Sequence, residues 1–189
     1  MRVSREQAAQ NRERIVETAS RLFREKGYDG IGVADLMKGA GMTHGGFYGH
    51  FASKEDLLAE ACGKAMESSL DKWRTVLAKS PRQPVAALAR FYLSTEHRDH
   101  PGPGCALAAL GPDAARVGAD VRHVMAEGLQ AQLALLADAL PGSVQHNRQA
   151  AIAAYASMVG GLVLARAVAD SKLSDEILAA VTASLERAS

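Results

Sequence analysis

Residues 27–58 decide the fold, and their sequence is GYDGIGVADLMKGAGMTHGGFYGHFASKEDLL. Apolar residues recur there at helical spacing in two short runs, 33–39 and 43–51, with Gly41 between them. Two short helices joined by a glycine-containing turn form a helix-turn-helix, whose second helix enters the DNA major groove. This stretch therefore predicts a DNA-binding helix-turn-helix.

Longer helices flank this motif on both sides. An apolar stripe from Ile15 to Phe23 predicts a first helix that ends at Gly27. Downstream, the run from Ser53 to Asp56 is typical of a capped helix start, and the helix that follows should end before Pro81. Three helices within about 55 residues are what a helix-turn-helix domain requires.

The remaining chain also has helical spacing, with no alternating strand pattern of useful length. We expect a loop over residues 97–104, and helices from Pro84, over 105–110, from Asp120, from a cap at Asn147 and from Ser174. The predicted fold class is all-α. Residues 1–55 form the helix-turn-helix domain, and residues 56–189 form a C-terminal helical bundle.

Composition limits the classes of protein to which this chain belongs. Hydrophobic residues make up 48% of the 189 residues, too many for a disordered chain. The net charge is +1, but residues 1–54 carry nine Lys and Arg against six Asp and Glu, while the remainder carries thirteen against fifteen. The predicted DNA-binding end is therefore mildly positive.

We expect a cytoplasmic protein that does not cross a membrane. The first six residues lack the apolar core of a signal peptide, and two cysteines cannot form a disulfide framework. Residues 150–169 hold a single charge, Arg166, but alanine dominates them and Gly160-Gly161 interrupts them. A buried helix is the better interpretation of that segment.

The first sixty residues resemble the DNA-binding region of the tetracycline-repressor (TetR) family. The resemblance covers about residues 10–60 and rests on Gly27-Tyr28 and the runs 33–43 and 46–58. It implies a non-enzymatic, ligand-responsive transcriptional regulator, by default a repressor, without a cofactor. Such a regulator binds a palindromic DNA operator as a homodimer and is released by a small-molecule effector.

The resemblance also implies which residues contact DNA. Tyr48 and Lys54 correspond to phosphate contacts, and the neighbouring positions form the groove-facing surface. Glycines replace side chains that could contact bases, so direct base contacts depend chiefly on Thr43 and His44, with close backbone approach. A plain structural role for each residue remains the alternative. The DNA-binding set is Thr43, His44, Gly45, Gly46, Tyr48, Gly49, His50 and Lys54.

The same resemblance implies a ligand pocket and a dimer interface in the C-terminal bundle. The expected pocket residues are Trp73, Phe91, Tyr92, Cys105, Met125, Leu129 and Leu133. The expected interface residues of the last two helices are Ile152, Tyr155, Ala156, Val159, Gly160, Val163, Ile177, Leu178, Val181 and Leu185.

Several alternatives stay open at this point. Cys105 follows a glycine-rich loop at a predicted helix start, where it senses oxidants or electrophiles or is simply a small buried residue. His97, Asp99 and His100 include metal-binding residue types, but we expect an ordinary surface loop and no metal. The alternative function is an all-helical small-molecule-binding protein or enzyme without DNA binding. The chain has no Gly-x-Ser-x-Gly motif to support a hydrolase.

Overall fold

The computed structural model describes residues 4–187 and contains no strand among them, which confirms the all-α class. Met1–Val3, part of the segment compared with a signal peptide, lie outside the described residues. One 3₁₀ helix, His44–Gly49, lies between the second and third α-helices. The α-helices are α1 (Arg5–Lys26), α2 (Val33–Gly39), α3 (Lys54–Lys79), α4 (Pro84–Tyr92), α5 (Thr95–Asp99), α6 (Ala106–Val117), α7 (Ala119–Asp138), α8 (Val144–Ala167) and α9 (Ser171–Arg187).

The chain divides into two compact units. The first comprises residues up to Met66 together with Gly102–Ala126, and the second comprises Glu67–Pro101 together with the residues from Glu127 onward. The first unit therefore contains α1, α2, the 3₁₀ helix and all of α6. The sequence-based division after residue 55 stays a prediction.

The predicted ends of the first helices are confirmed. Gly27 ends α1 with a left-handed φ of 76°, a conformation that glycine adopts without strain. Ser53 caps α3, since its Oγ accepts from the Asp56 backbone N–H at 3.0 Å, and the Asp56 carboxylate accepts from the Ala52 N–H. Pro84 is the first residue of α4, where its missing N–H costs no helical hydrogen bond.

Two predictions around residue 100 are wrong. The loop expected over 97–104 begins with a short helix, α5, because the Ser94 hydroxyl accepts from the His97 N–H and caps it. The helix expected to stop before Gly111 continues as α6 to Val117, with Pro112 inside it. Leu110 and Ala114 are buried on either side of that proline, and this packing outweighs the lost backbone hydrogen bond.

The caps of the last two helices also differ from the prediction. Ser143, rather than Asn147, caps α8, and Asn147 is buried with its Nδ2 donating to the carbonyls of Ala137 and Leu140. α9 begins at Ser171, three residues before the expected start, because the Asp170 carboxylate caps it and accepts from two backbone N–H groups of the first turn. Each stretch contains several residues able to cap a helix, and tertiary contacts select among them.

One described helix, α8, is long and apolar enough to span a membrane by length and composition, with a mean hydropathy of 1.5. The helix expected there to be buried is buried along one side only, since 39% of its apolar window is buried. Along one side α8 packs closely on α9, since a Cβ added at Gly161 would lie 3.1 Å from Val181 Cγ2. Met158 and Leu162 are buried on α8 as well.

Candidate nucleic-acid interface

Glycines in the helix-turn-helix form its turn and allow its helices to pack closely. Gly41 forms the turn with a φ of 70°, and the Met42 N–H donates to the Met37 carbonyl at 2.8 Å. A Cβ at Gly39 would lie 3.0 Å from Leu22 Cδ1 and 3.1 Å from Thr18 Cγ2. Glycine at position 39 therefore brings α2 directly onto α1.

The second helix of the motif is a 3₁₀ helix rather than an α-helix. It spans only His44–Gly49, and Thr43, the predicted cap, makes no side-chain capping bond. Three glycines lower the helix propensity of these six residues, and short segments readily take the tighter 3₁₀ form. Phe47 anchors the turn, because it is buried with its ring 5.7 Å from that of Phe51.

The predicted groove-facing residues lie together on this turn. Tyr48 is 70% exposed beside the buried Phe47, and Thr43 and His44 are exposed as well. A Cβ at Gly45 or Gly49 would meet no atom within 4 Å, and neither glycine has a positive φ. The fold therefore does not require glycine at these two positions.

Gly46 and His50, the other predicted contacts on the turn, are half-buried. A Cβ at Gly46 would point inward, at 3.7 Å from Met37 Cε, which is an ordinary van der Waals distance. Gly46 thus differs from Gly45 and Gly49 in facing the protein.

Lys54, the predicted phosphate contact, is the first residue of α3 and is held by Tyr28. Its Nζ donates to the Tyr28 carbonyl at 2.5 Å and lies 4.1 Å from the centre of the Tyr28 ring. Burial lowers the pKa of Lys54, while the carboxylates of Asp29 and Asp113 act in the opposite direction. Sequence reasoning selected Lys54 but missed this partner, although Gly27-Tyr28 belongs to the motif.

Arg12 is a second cation that sequence reasoning did not place in the site. Its guanidinium forms a two-pronged ion pair with Glu60 and lies 4.7 Å from the centre of the Phe51 ring. The hydrogen bonds that Arg12 donates to the Glu60 carboxylate raise the pKa of Arg12. Arg12 thus ties α1 to α3 beneath the exposed turn.

The predicted pocket residues are divided between the two units. Trp73, Tyr92 and Leu133 are buried in the second unit, whereas Cys105 and Met125 are buried in the first. Phe91 is exposed and Leu129 is half-buried. The ligand pocket stays a prediction.

A polar network accompanies the buried aromatic residues of the second unit. The Trp73 ring lies 4.8 Å from that of Tyr155, whose hydroxyl donates to Gln132 Oε1 at 2.7 Å. Gln132, which is fully buried, donates in turn to the Ser69 hydroxyl. Sequence reasoning missed Gln132, because nothing in a helical pattern distinguishes a buried glutamine from a solvated one.

The predicted interface residues divide by exposure. The four that face outward on α8 repeat at helical spacing, and three more are half-buried. The remaining three belong to the protomer's own core, since the facing helices already bury them. Ile152, Ala156, Gly160 and Val163 face outward; Val159, Ile177 and Val181 are half-buried; Tyr155, Leu178 and Leu185 are buried.

Both cysteine candidates are buried, whereas His97 is half-buried and Asp99 and His100 are exposed. Cys105 is 3% exposed at the start of α6, and burial raises the pKa of Cys62 to about 12. Burial lowers the pKa of His97 to about 4, and its Nδ1 lies 2.7 Å from the Tyr92 carbonyl. Within residues 4–187, no group of three or more His, Cys, Asp or Glu side chains is arranged to hold a metal ion.

Comparison with known sequences identifies similarity in the same region. The model of the family "Bacterial regulatory proteins, tetR family" matches residues 15–61. The uncharacterized HTH-type transcriptional regulator YerO of Bacillus subtilis is 33% identical over 94 residues, which are 48% of this chain and 32% of YerO. The HTH-type transcriptional repressor NemR of Escherichia coli K12 is 27% identical over 144 residues, 72% of this chain and 70% of NemR. The YerO match thus spans about a third of that relative.

Solved structures resemble this chain over most of its length. The reduced form of E. coli NemR has a TM-score of 0.78 at 23% identity, covering 94% of this chain and 97% of NemR. Bacillus subtilis FadR in complex with stearoyl-CoA has a TM-score of 0.64 at 19% identity, covering 90% and 97%. At these identities the likeness concerns the fold, an N-terminal helix-turn-helix followed by further helices.

Proposed function

We propose that this chain, whose residues 15–61 match the model of the tetR family of bacterial regulatory proteins, is a ligand-responsive transcriptional repressor. It binds a palindromic operator in double-stranded DNA as a cytoplasmic homodimer, and a small-molecule effector releases it. The relatives described above are transcriptional regulators, and we propose no catalytic activity for this chain.

The observation that carries this proposal is the exposed turn of residues 43–49. Its outward face combines the exposed Tyr48 with two glycines that the fold does not need, Gly45 and Gly49. Bare backbone beside an exposed aromatic side chain suits close approach to a second surface, and a major groove about 12 Å wide admits such an element. Thr43 and His44 then supply the direct base contacts, with Gly46 and His50 beside them.

Lys54 completes the proposed DNA contact outside the groove. One of its three N–H donors is occupied by the Tyr28 carbonyl, so two remain for a phosphate oxygen. A phosphate contact fixes the position of the turn on the duplex without conferring sequence preference. Tyr48 provides a second such contact through its hydroxyl.

We propose that the effector binds among the helices of the C-terminal part of the chain. FadR, which shares the fold, is described in complex with stearoyl-CoA, an acyl-CoA. In this chain, Trp73 and Tyr92 offer large apolar rings, and the hydrogen-bonded network of Tyr155, Gln132 and Ser69 lies among the buried side chains of the same unit. A few polar groups in apolar surroundings are typical of small-molecule sites.

Dimerisation is proposed through the outward face of α8. Ile152 and Val163 are large apolar residues that remain exposed there, and Gly160 has open space above its backbone. Apolar residues concentrated on one exposed helix face are typical of an association surface. In two copies related by a two-fold axis, the two exposed turns of residues 43–49 would lie about 34–36 Å apart, or a multiple of that distance.

Selection of bound duplexes from a random DNA pool tests this function. The proposal predicts enrichment of an inverted repeat whose half-sites are separated by one or two helical turns. A helical small-molecule-binding protein or enzyme without DNA binding would enrich no sequence. That result, obtained with folded dimeric protein, would contradict the proposal.

A further inference from the structure

Tyr28 connects two parts of the first unit through its backbone and its ring. Its N–H donates to Asp113 Oδ2 of α6 at 3.1 Å, and its carbonyl accepts from Lys54 Nζ of α3. The same ammonium lies over the Tyr28 ring, which stacks on Phe23 of α1. The placement of one peptide segment therefore determines where the Lys54 ammonium lies.

Asp113 is the side chain that holds this segment from α6. Its carboxyl group is mostly buried, and its Oδ2 lies 3.6 Å from where a Cβ at Gly27 would be. Gly27 has the left-handed φ that ends α1, so the chain turns sharply at the residue before Tyr28. The Asp113 carboxylate therefore holds the peptide that follows this turn, since it accepts the Tyr28 N–H.

Lys54 lies in the first turn of α3, where a positive charge is normally unfavourable. A lysine in the first turn of an α-helix lies at the positive end of the helix dipole, which disfavours a cation. Here the Tyr28 carbonyl, the face of its ring, and the carboxylates of Asp29 and Asp113 offset that effect. The protein thus holds an ammonium group in place at a point where the local helix does not favour one.

We propose that Asp113 and Tyr28 position the Lys54 ammonium for its DNA phosphate, so that α6 sets DNA affinity through a residue that does not touch DNA. This inference rests on the proposed function. Asp113 fixes the Tyr28 peptide, the Tyr28 carbonyl and ring hold the ammonium, and the ammonium meets the phosphate already oriented. Positioning in advance of binding lowers the entropy lost when the complex forms.

The substitution Asp113→Ala tests this role, because two explanations predict opposite signs. Removal of a carboxylate reduces repulsion of the DNA phosphates, so a charge effect alone would leave affinity unchanged or raise it. Loss of positioning instead weakens binding, by about threefold to tenfold for a coupling of this kind. Asp113→Asn keeps an oxygen acceptor for the Tyr28 N–H and should bind close to wild type.

The matched control is Asp71→Ala. Asp71 and Asp113 each pair with an arginine three residues later, Arg74 and Arg116, but only Asp113 also accepts from a backbone N–H of another helix end. Both variants remove one carboxylate and one surface ion pair. Asp71→Ala should therefore leave DNA affinity unchanged.

Binding is measured with a duplex selected by the wild-type chain and with an unrelated duplex of the same length. Asp113→Ala should weaken binding to both, since a phosphate contact carries no sequence information. In the Lys54→Ala background, Asp113→Ala should have no further effect. Wild-type or tighter binding by Asp113→Ala would overturn the inference, and so would an equal loss of binding in the Lys54→Ala background.

A second pair of variants covers the case in which Asp113→Ala does not fold, as judged by helical circular dichroism. Tyr28→Phe keeps the ring beneath the ammonium and should bind as wild type, whereas Tyr28→Leu removes it and should weaken binding to both duplexes. Equal affinity of the two would overturn the inference. Folded wild-type protein that selects no duplex from the random pool would instead contradict the proposed function.

Discussion

Alanine at Gly49 should make the protein more stable and its DNA complex weaker. A Cβ at this position meets no atom within 4 Å, and the φ of Gly49 is not positive, so the folded protein accepts alanine without strain. Alanine reduces the freedom of the unfolded chain and should raise the free energy of unfolding by about 0.4–1 kcal/mol. For a chain of this length that is a rise in Tm of about 1–4 °C.

The effect on DNA binding should have the opposite sign. If the glycine is present for close backbone approach, the added methyl group meets the DNA surface. An extra methyl group in a closely packed contact costs about 1–3 kcal/mol, which corresponds to at least a fivefold loss of affinity. The two quantities are measured by thermal unfolding and by titration with the selected duplex.

Gly46→Ala is the control within the same turn. Its Cβ would face Met37 at 3.7 Å, so it should gain stability without adding an atom to the outer face. DNA affinity should therefore stay the same or rise through better ordering of the free turn. Binding by Gly49→Ala that is as tight as wild type, or tighter, would refute the argument that this glycine permits close approach.

Three further predictions concern assembly, pH and the thiols. Val163→Asp should convert the dimer to monomers in sedimentation experiments, because an unpaired charge is costly in an apolar interface. An intact dimer would show that this face of α8 is not the interface. Val181 is a less suitable position for the test, since its side chain packs against Gly161 within the protomer. Burial lowers the pKa of His97 from 6.5 to about 4. The free energy of unfolding should therefore decrease by up to about 3 kcal/mol as the pH falls through that range. Urea titrations of His97→Gln should lack this pH dependence. Cys62 and Cys105 are buried and should react with a thiol reagent only as fast as the protein opens, whereas rapid labelling of native Cys105 would favour the oxidant-sensing alternative.

The fold was predictable from sequence because its determinants are local. The helical spacing from Ile15 to Phe23, the stop at Gly27 and the cap at Ser53 each act within a few residues, and the structure agrees with all three. The caps of α8 and α9 were not predictable in the same way. Asn147 is a good capping residue, but the carbonyls at the end of α7 engage its side chain instead.

The candidate site was predictable in its position but not in its geometry. The motif identified the exposed turn, yet three glycines in a six-residue segment make a 3₁₀ helix where an ordinary composition would give an α-helix. The contact between Lys54 and Tyr28 joins residues 26 positions apart. The spacing of apolar residues along the sequence does not predict such a contact. It forms only when the segment after α1 packs against α3.

The salt dependence of DNA binding by wild type and Lys54→Ala tests the central claim most directly. We expect wild-type affinity to fall linearly with salt on a logarithmic scale, and Lys54→Ala to bind every duplex more weakly, with a slope smaller by about one for each protomer. Lys79→Ala, at the opposite end of α3, should match wild type. Unchanged affinity and slope in Lys54→Ala, or wild-type protein that binds no duplex at low salt, would contradict the account.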